Sequence, residues 1–162
     1  MRRQDRAVIG LENILSILDK CEIMRLGLSV DDKPYIVPMC FAYELADGDV
    51  SIYFHCAAEG RKISMIAQNN NVCFEADCSY KTLKAEDACE WSAEYESVIG
   101  EGIASVVIDE GRKIHALDLL MERYGFEGKP HYSPDALLAV VVLCVNVITI
   151  TGKCRLTNNH TI

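Results

Sequence analysis

The stretch Tyr53–Lys62, YFHCAAEGRK, holds the side chains best suited to chemistry. A strand is expected to end at His55. Ala57, Ala58 and Gly60 turn a corner, and Arg61 and Lys62 open a helix. The first turn of a helix has free backbone N–H groups and the positive end of the helix dipole. Two cations there oppose the dipole, at a cost of roughly a few tenths of a kcal/mol. A sequence that accepts this cost gathers positive charge for an anion such as a phosphate. Gly60 and the two alanines would let that ligand reach the backbone. The plainer reading is a solvated basic pair after an ordinary turn, and the residues alone leave both open. His55 shares its strand face with Ser51 and Tyr53. On a ligand-lined face it could donate a hydrogen bond, carry a proton or act as an axial ligand. Bonded to a loop carbonyl, it would do none of these. His55 and Cys56 make no metal pair, because consecutive strand side chains point opposite ways.

Other reactive signatures are missing. The sequence has no GxSxG elbow, Walker loop, GxGxxG or HExxH. Asp31–Asp32 and Glu86–Asp87 fall in turn-like segments and read as solvated. His115, His131 and His160 are isolated. The eight cysteines, at 21, 40, 56, 73, 78, 89, 144 and 154, include no CxxC pair, so zinc-ribbon spacing and a metal site are not expected. No secretory signal is read, so no disulfide framework is expected either. Most of the thiols should be small buried hydrophobes. A chain without its own reactive constellation can borrow one from a cofactor.

The elements that must position the corner follow from periodicity. Leu11, Ile14, Leu15 and Leu18 share one face of a helix over residues 11–20. Strands are expected over 23–29, 35–44, 50–55, 72–78, 95–108 and 137–153. Asp47-Gly48 marks a hairpin. Pro38 cannot donate a ladder hydrogen bond, so its strand has an edge or an irregularity there. Gly100 and Gly102 share a face where their strand can curve or be closely approached. Helices are expected over 60–69 and 109–125, the second closed by Gly125. Residues 79–93 read as a connection and 126–135 as a loop. Strands joined by hairpin turns and short helical crossings fit a small antiparallel β-barrel. They do not fit a doubly wound sheet.

The bulk numbers agree. The chain has 162 residues, half of them apolar and a quarter charged, which suits one soluble globular domain. The net charge of −8 and the lack of a basic run argue against nucleic acid. No apolar stretch approaches the roughly 18 residues of a membrane span. The N-terminus is charged and helical in its spacing, so a cytoplasmic protein is expected.

The segments MRRQDR, CEIMRLGLSVDDKPYIVPMCFAYE, IYFHCAAEGRKISMIAQNNNVCFEAD and WSAEYESVIGEGIA resemble those of the 5-nitroimidazole-resistance (Nim) proteins. These belong to the pyridoxamine 5′-phosphate oxidase-like flavin-binding split-barrel superfamily. The resemblance covers roughly residues 1 to 152. It implies a mainly β fold with peripheral helices, a six-stranded antiparallel split β-barrel of the FMN-binding type. A single flavin-binding domain would span residues 1–162, with 153–162 as a flexible tail. The resemblance also implies a homodimer with two flavin sites at the subunit interface. FMN is the expected cofactor, FAD the alternative. The phosphate would be held by Arg61 and Lys62. The flavin ring would lie along Ile36, Val37, Pro38 and Met39, beside His55. Trp91 and Ser92 lie in a connection that could reach the site from the partner subunit. Cys56 stands where such relatives carry glycine, and Cys40 where a polar residue is expected. The Cys56 side chain should point away from the His55 face.

Three functions are compatible with this resemblance. The first is a flavin-dependent oxidoreductase that passes electrons to a small aromatic acceptor, a nitroimidazole among them, with His55 as catalytic proton donor. The second is a haem-binding protein with His55 as axial ligand. The third is a flavin-binding module without turnover.

Overall fold

Two tight turns made of residues in the left-handed region fix the first hairpins. Asp31 and Asp32 have φ of 50° and 57°, and Asp47 and Gly48 have φ of 54° and 90°. Positive φ at both central residues is the turn whose twist matches paired strands. The first joins β2 (Met24–Val30) to β3 (Lys33–Met39), and the second joins β4 (Ala42–Ala46) to β5 (Asp49–Ala57). The computed structural model describes residues 3–157. A short 3-10 turn, Gln4–Arg6, leads into β1 (Ala7–Val8) and α1 (Leu11–Lys20) ahead of these hairpins. After them come α2 (Arg61–Gln68), β6 (Asn71–Leu83), β7 (Ser92–Val106), α3 (Glu110–Arg123), α4 (Pro134–Ala139) and β8 (Val140–Arg155).

All pairings are antiparallel, in the order β3-β2-β6-β7-β8-β5-β4, with β1 beside β8. The two ends of that order, β3 and β4, are joined through only Cys40 and Phe41. Three Cα–Cα steps span at most about 11 Å. The sheet must therefore curl until its edges meet, which is a barrel closed by a covalent corner rather than by a ladder. The strand expected over 35–44 is thus two strands on opposite edges. With the two-residue β1, this makes eight strands where six were expected. Pro38 sits on an edge strand, as its missing N–H requires.

The barrel interior and the inner faces of α1 and α2 form one core, in which Leu18, Met24, Phe41, Ile52, Phe54, Phe74 and Val98 are fully buried. Phe74 lies against Gly100, where a methyl group would overlap its ring and the Thr149 carbonyl. A second, smaller core lies outside the barrel. There Ala116, Leu117 and Leu120 of α3 cover Ala42, Tyr53, Val142 and Cys144. Asp109 caps α3 by accepting from the Arg112 N–H at 2.8 Å.

Three boundaries differ from expectation. Residues 134–139 are a helix, capped by Ser133 with Pro134 at its first position, so the last strand begins at Val140. β6 runs to Leu83, past a bulge between Cys78 and Lys81 at which Ser79 has a φ of 59°. Lys153, Cys154 and Arg155 are strand rather than tail. His160 and the rest of 158–162 lie outside the described residues, as do Met1 and Arg2. No helix among the described residues is long and apolar enough to cross a membrane.

Candidate functional site

A cleft of about 470 Å³ opens where the two sheet edges meet. Val37, Pro38, Met39 and Cys40 line it from β3 and the corner, and His55, Cys56 and Ala57 from the end of β5. Lys62 enters from α2, and Ala139 and Val140 from the α4–β8 junction. Val37, Pro38, Met39, His55 and Lys62, predicted from sequence, are thus brought together around one space.

The remaining predicted residues lie elsewhere in the chain. The Arg61 guanidinium stacks over the Tyr35 ring, 4.3 Å from its centroid, and ties α2 to β3. Ile36 faces outward and is 66% exposed. Trp91 is half-exposed and donates from Nε1 to the Ala85 carbonyl at 2.9 Å, while the Ser92 hydroxyl accepts from Arg155. Sequence reasoning missed Ala139 and Val140 as lining residues because it read 137–153 as one strand. The signal was Ser133-Pro134-Asp135, an N-cap followed by proline at the first helical position.

Lys62 is an available cation. None of the eight ion pairs among the described residues includes it or Arg61. It lies in the first turn of a helix whose N-cap, Gly60, offers no side-chain acceptor to the first N–H groups. Gly60 has a φ of 141°, which a residue with a side chain adopts only under strain. The corner therefore offers a charge and unfilled donors together. Burial raises the pKa of the Cys56 thiol, and the nearby Lys62 charge works against that rise. Cys56 packs into the barrel core, away from the exposed His55, as strand alternation requires.

The face shared by Ser51, Tyr53 and His55 does not form a groove. Tyr53 is buried beneath α3, where its hydroxyl donates to one Glu44 oxygen, and the other Glu44 oxygen lies 2.7 Å from His115 Nε2. Burial, then the Glu44 carboxylate, pushes the Tyr53 phenol up to about 12. Only His55, at the strand end, reaches the cleft.

The corner that forms one wall is held from outside. The Tyr124 hydroxyl accepts from the Phe41 N–H at 3.0 Å and donates to the Glu22 carbonyl at 2.6 Å. The Arg123 guanidinium lies 4.1 Å over the Phe41 ring and donates to the Leu18 and Cys21 carbonyls. The end of α3 thus bolts the barrel corner to the end of α1.

All eight cysteines are free. Cys21, Cys56 and Cys144 are buried, Cys40, Cys78 and Cys154 half-buried, and Cys73 and Cys89 exposed. Fewer are core residues than expected, because several fall where strand ends and the outer sheet face meet solvent.

Among curated proteins none matches this chain. Among solved structures, a candidate 5-nitroimidazole antibiotic resistance protein from Bacteroides thetaiotaomicron is 33% identical, with 91% of this chain and 85% of that chain covered and a TM-score of 0.78. The flavocytochrome Anf3 from Azotobacter vinelandii shares the fold at 20% identity, covering 97% of this chain and 72% of that one, with a TM-score of 0.81. The FAD and haem binding protein from Mycobacterium smegmatis does so at 17% identity, 97% and 77% coverage, and a TM-score of 0.82. The barrel with its covalent corner is the split barrel these structures share. The family model for pyridoxamine 5′-phosphate oxidase matches residues 11–154, from the first turn of α1 almost to the end of β8. Every element around the cleft falls inside that match, and the chain is a member of the pyridoxamine 5′-phosphate oxidase-like family.

Proposed function

We propose that the cleft binds a flavin, FMN rather than FAD, and that the protein is a cytoplasmic oxidoreductase acting on a small aromatic acceptor such as a nitroimidazole. The observation that carries this reading is Lys62. It is a cation without an acidic partner, at the uncapped start of α2, and it faces the same space as His55. Lys62 and the free N–H groups of α2 would hold the flavin phosphate. Arg61, engaged with Tyr35, would hold the helix in place and add to the local potential. The open edge of β3 would present the Ile36 backbone groups and the Pro38 carbonyl to the polar rim of the ring, since Val37 and Met39 pair with Leu26 and Met24 of β2 and Pro38 has no N–H. Bound there, the flavin would supply the electron transfer that no side chain in the cleft can perform. His55 would hold a proton on its ring at the rim of the cleft and deliver it to the acceptor. The identity to the Bacteroides relative supports the nitroimidazole class of acceptor.

The functional unit would be a homodimer. Ile36 and Ile99 are exposed on one outer sheet face, since Ile36 is aligned through Gly27 and Cys73 with Glu101, two residues from Ile99. Ile36, Trp91 and Ser92 would then approach the site of the partner subunit.

The test is the visible spectrum of the purified protein, before and after adding FMN, followed by turnover with NADH or NADPH. Flavin bands perturbed by binding, bleached by a reductant and restored by a nitroimidazole, are expected. A Soret band would instead assign His55 to haem ligation. Bound flavin that no donor reduces would make the protein a carrier, and a colourless protein that ignores FMN would remove the reading.

A further inference from the structure

Charge is spread unevenly over this acidic chain. A second cavity, of about 470 Å³, is lined by Arg3, Asp5, Arg6, Cys154, Arg155 and Leu156. It shares no lining residue with the His55–Lys62 cleft. The whole protein carries −8, yet three guanidinium groups and one carboxylate meet here.

The fold itself assembles the cluster. β1 pairs with the end of β8, Ala7 with Lys153 and Val8 with Gly152, and so fixes the N-terminal turn beside Arg155. Arg6 is anchored by donation to the Tyr95 hydroxyl at 3.3 Å, and Arg155 by donation to the Ser92 hydroxyl. Arg6 and Arg155 are both half-buried, so their charges are only partly solvated. Bringing like charges together in such a place is unfavourable unless an anion answers them.

Asp5 answers only part of this charge. Arg3 grips its carboxylate through Nε and Nη2 at 2.8 and 2.6 Å, and Arg6 Nε stands 4.0 Å away. Arg155 is not among its ion-pair partners. Each guanidinium has five N–H donors in a planar fork. Most of them remain for a ligand with several acceptor oxygens, and phosphate matches that fork in pairs. We propose that this cavity is a second anion site, for a phosphate-bearing ligand, and that Asp5 is the internal anion that occupies it when the ligand is absent. The Asp5 carboxyl is held at about 2, chiefly by the Arg3 hydrogen bond, so the site already favours negative charge.

The ligand could be a free polyphosphate or the phosphates of a dinucleotide. Calorimetric titration of the full chain at low salt, with inorganic pyrophosphate and with NADPH as separate probes, tests the assignment. In Lys62→Ala, which lacks the other phosphate-holding cation, pyrophosphate should bind once per chain, and the binding should weaken with added salt. Arg6→Gln and Arg155→Gln should each weaken it at least about tenfold. Asp5→Asn should tighten it, and Lys129→Ala, an exposed cation outside the cavity lining, should leave it unchanged. NADPH showing the same pattern assigns the site to a dinucleotide. Pyrophosphate alone assigns it to a free polyphosphate. Absent binding, or binding lost in Lys62→Ala and kept in the arginine variants, overturns the proposal. Should an arginine variant fail to fold, Asp5→Asn decides, and unchanged or weaker binding in it is the overturning result.

Discussion

Lys62→Ala separates the phosphate-holding corner from an ordinary basic turn. Lys62 is half-buried and lines the cleft, so its charge would act on a flavin phosphate through a medium between water and protein interior. Two unit charges about 4 Å apart interact by about 1 kcal/mol in water and about 4 kcal/mol at an effective dielectric of 20. A loss of about 2 kcal/mol lies between these limits and weakens the flavin Kd about thirtyfold. Lys20→Ala removes the same charge elsewhere. Lys20 Nζ sits 2.8 and 3.0 Å from the carboxylate oxygens of Glu96, a buried residue to which Ser79 also donates at 2.8 Å. Removing Lys20 leaves that carboxylate short of its partner, at about 1–3 kcal/mol. The two variants should therefore dissociate. Lys62→Ala keeps the melting temperature of the free protein and loses flavin affinity in equilibrium dialysis. Lys20→Ala loses several degrees and keeps the affinity. Equal flavin retention by both variants would refute the phosphate assignment, whatever their stabilities.

Thiol labelling and pH give two further checks. Burial drives the Cys21 thiol up to about 12, and burial also raises the Cys144 thiol, so neither is a ready nucleophile. In native protein at pH 8, a disulfide reagent should modify exposed Cys89 first, Cys73 more slowly because it lies on the face assigned to the dimer, and Cys21 and Cys144 only in denaturant; one common rate for all eight cysteines would contradict the packing described. Burial works to raise the Glu44 carboxyl, but the hydrogen bonds from Tyr53 and His115 outweigh it, and the pKa lies below its ordinary value of about 4.5. A depressed carboxyl contributes stability that is present above the unfolded pKa and is lost as pH falls through the folded one. Glu44→Gln should accordingly flatten part of the fall in melting temperature below about pH 4.5. Identical acid profiles for the two proteins would deny Glu44 that role.

The parts of the fold legible in the sequence were those with strong local codes. The apolar stripe of α1, the Asp-Gly turn and the Gly60 corner each fix a conformation through residues close in sequence. The division at Cys40–Phe41 could not be read this way. YIVPMCFAYE reads as extended and nearly all apolar. What separates β3 from β4 is that each pairs with a different neighbour, which is a tertiary fact. The face of Ser51, Tyr53 and His55 failed for a similar reason. Alternation places three side chains on one side of β5, but α3 covers that side as far as Tyr53 and leaves His55 free. The 134–139 helix was legible and misread, since β-branched residues beyond it outweighed its cap.

The position of the cleft follows from how the barrel closes. A sheet of this order has two edges, and each edge strand carries a row of unpaired N–H and C=O groups. Full closure would pair β3 with β4 and leave no room between them. Here the corner Cys40–Phe41 joins them covalently, and Tyr124 uses the Phe41 N–H, so the seam stays open just before the corner. The unpaired β3 edge, a cost in an isolated sheet, becomes a wall of backbone acceptors with the Ile36 N–H as its donor. α2 then brings Lys62 to one side of that wall, and the last residues of β5 bring His55 to the other. Sealing the seam would remove the edge liability and the cleft together. Retaining it gives the chain a site whose shape is set by core packing and by the α3 bolt, with only His55 and Lys62 left to supply titratable or charged chemistry beside the two thiols.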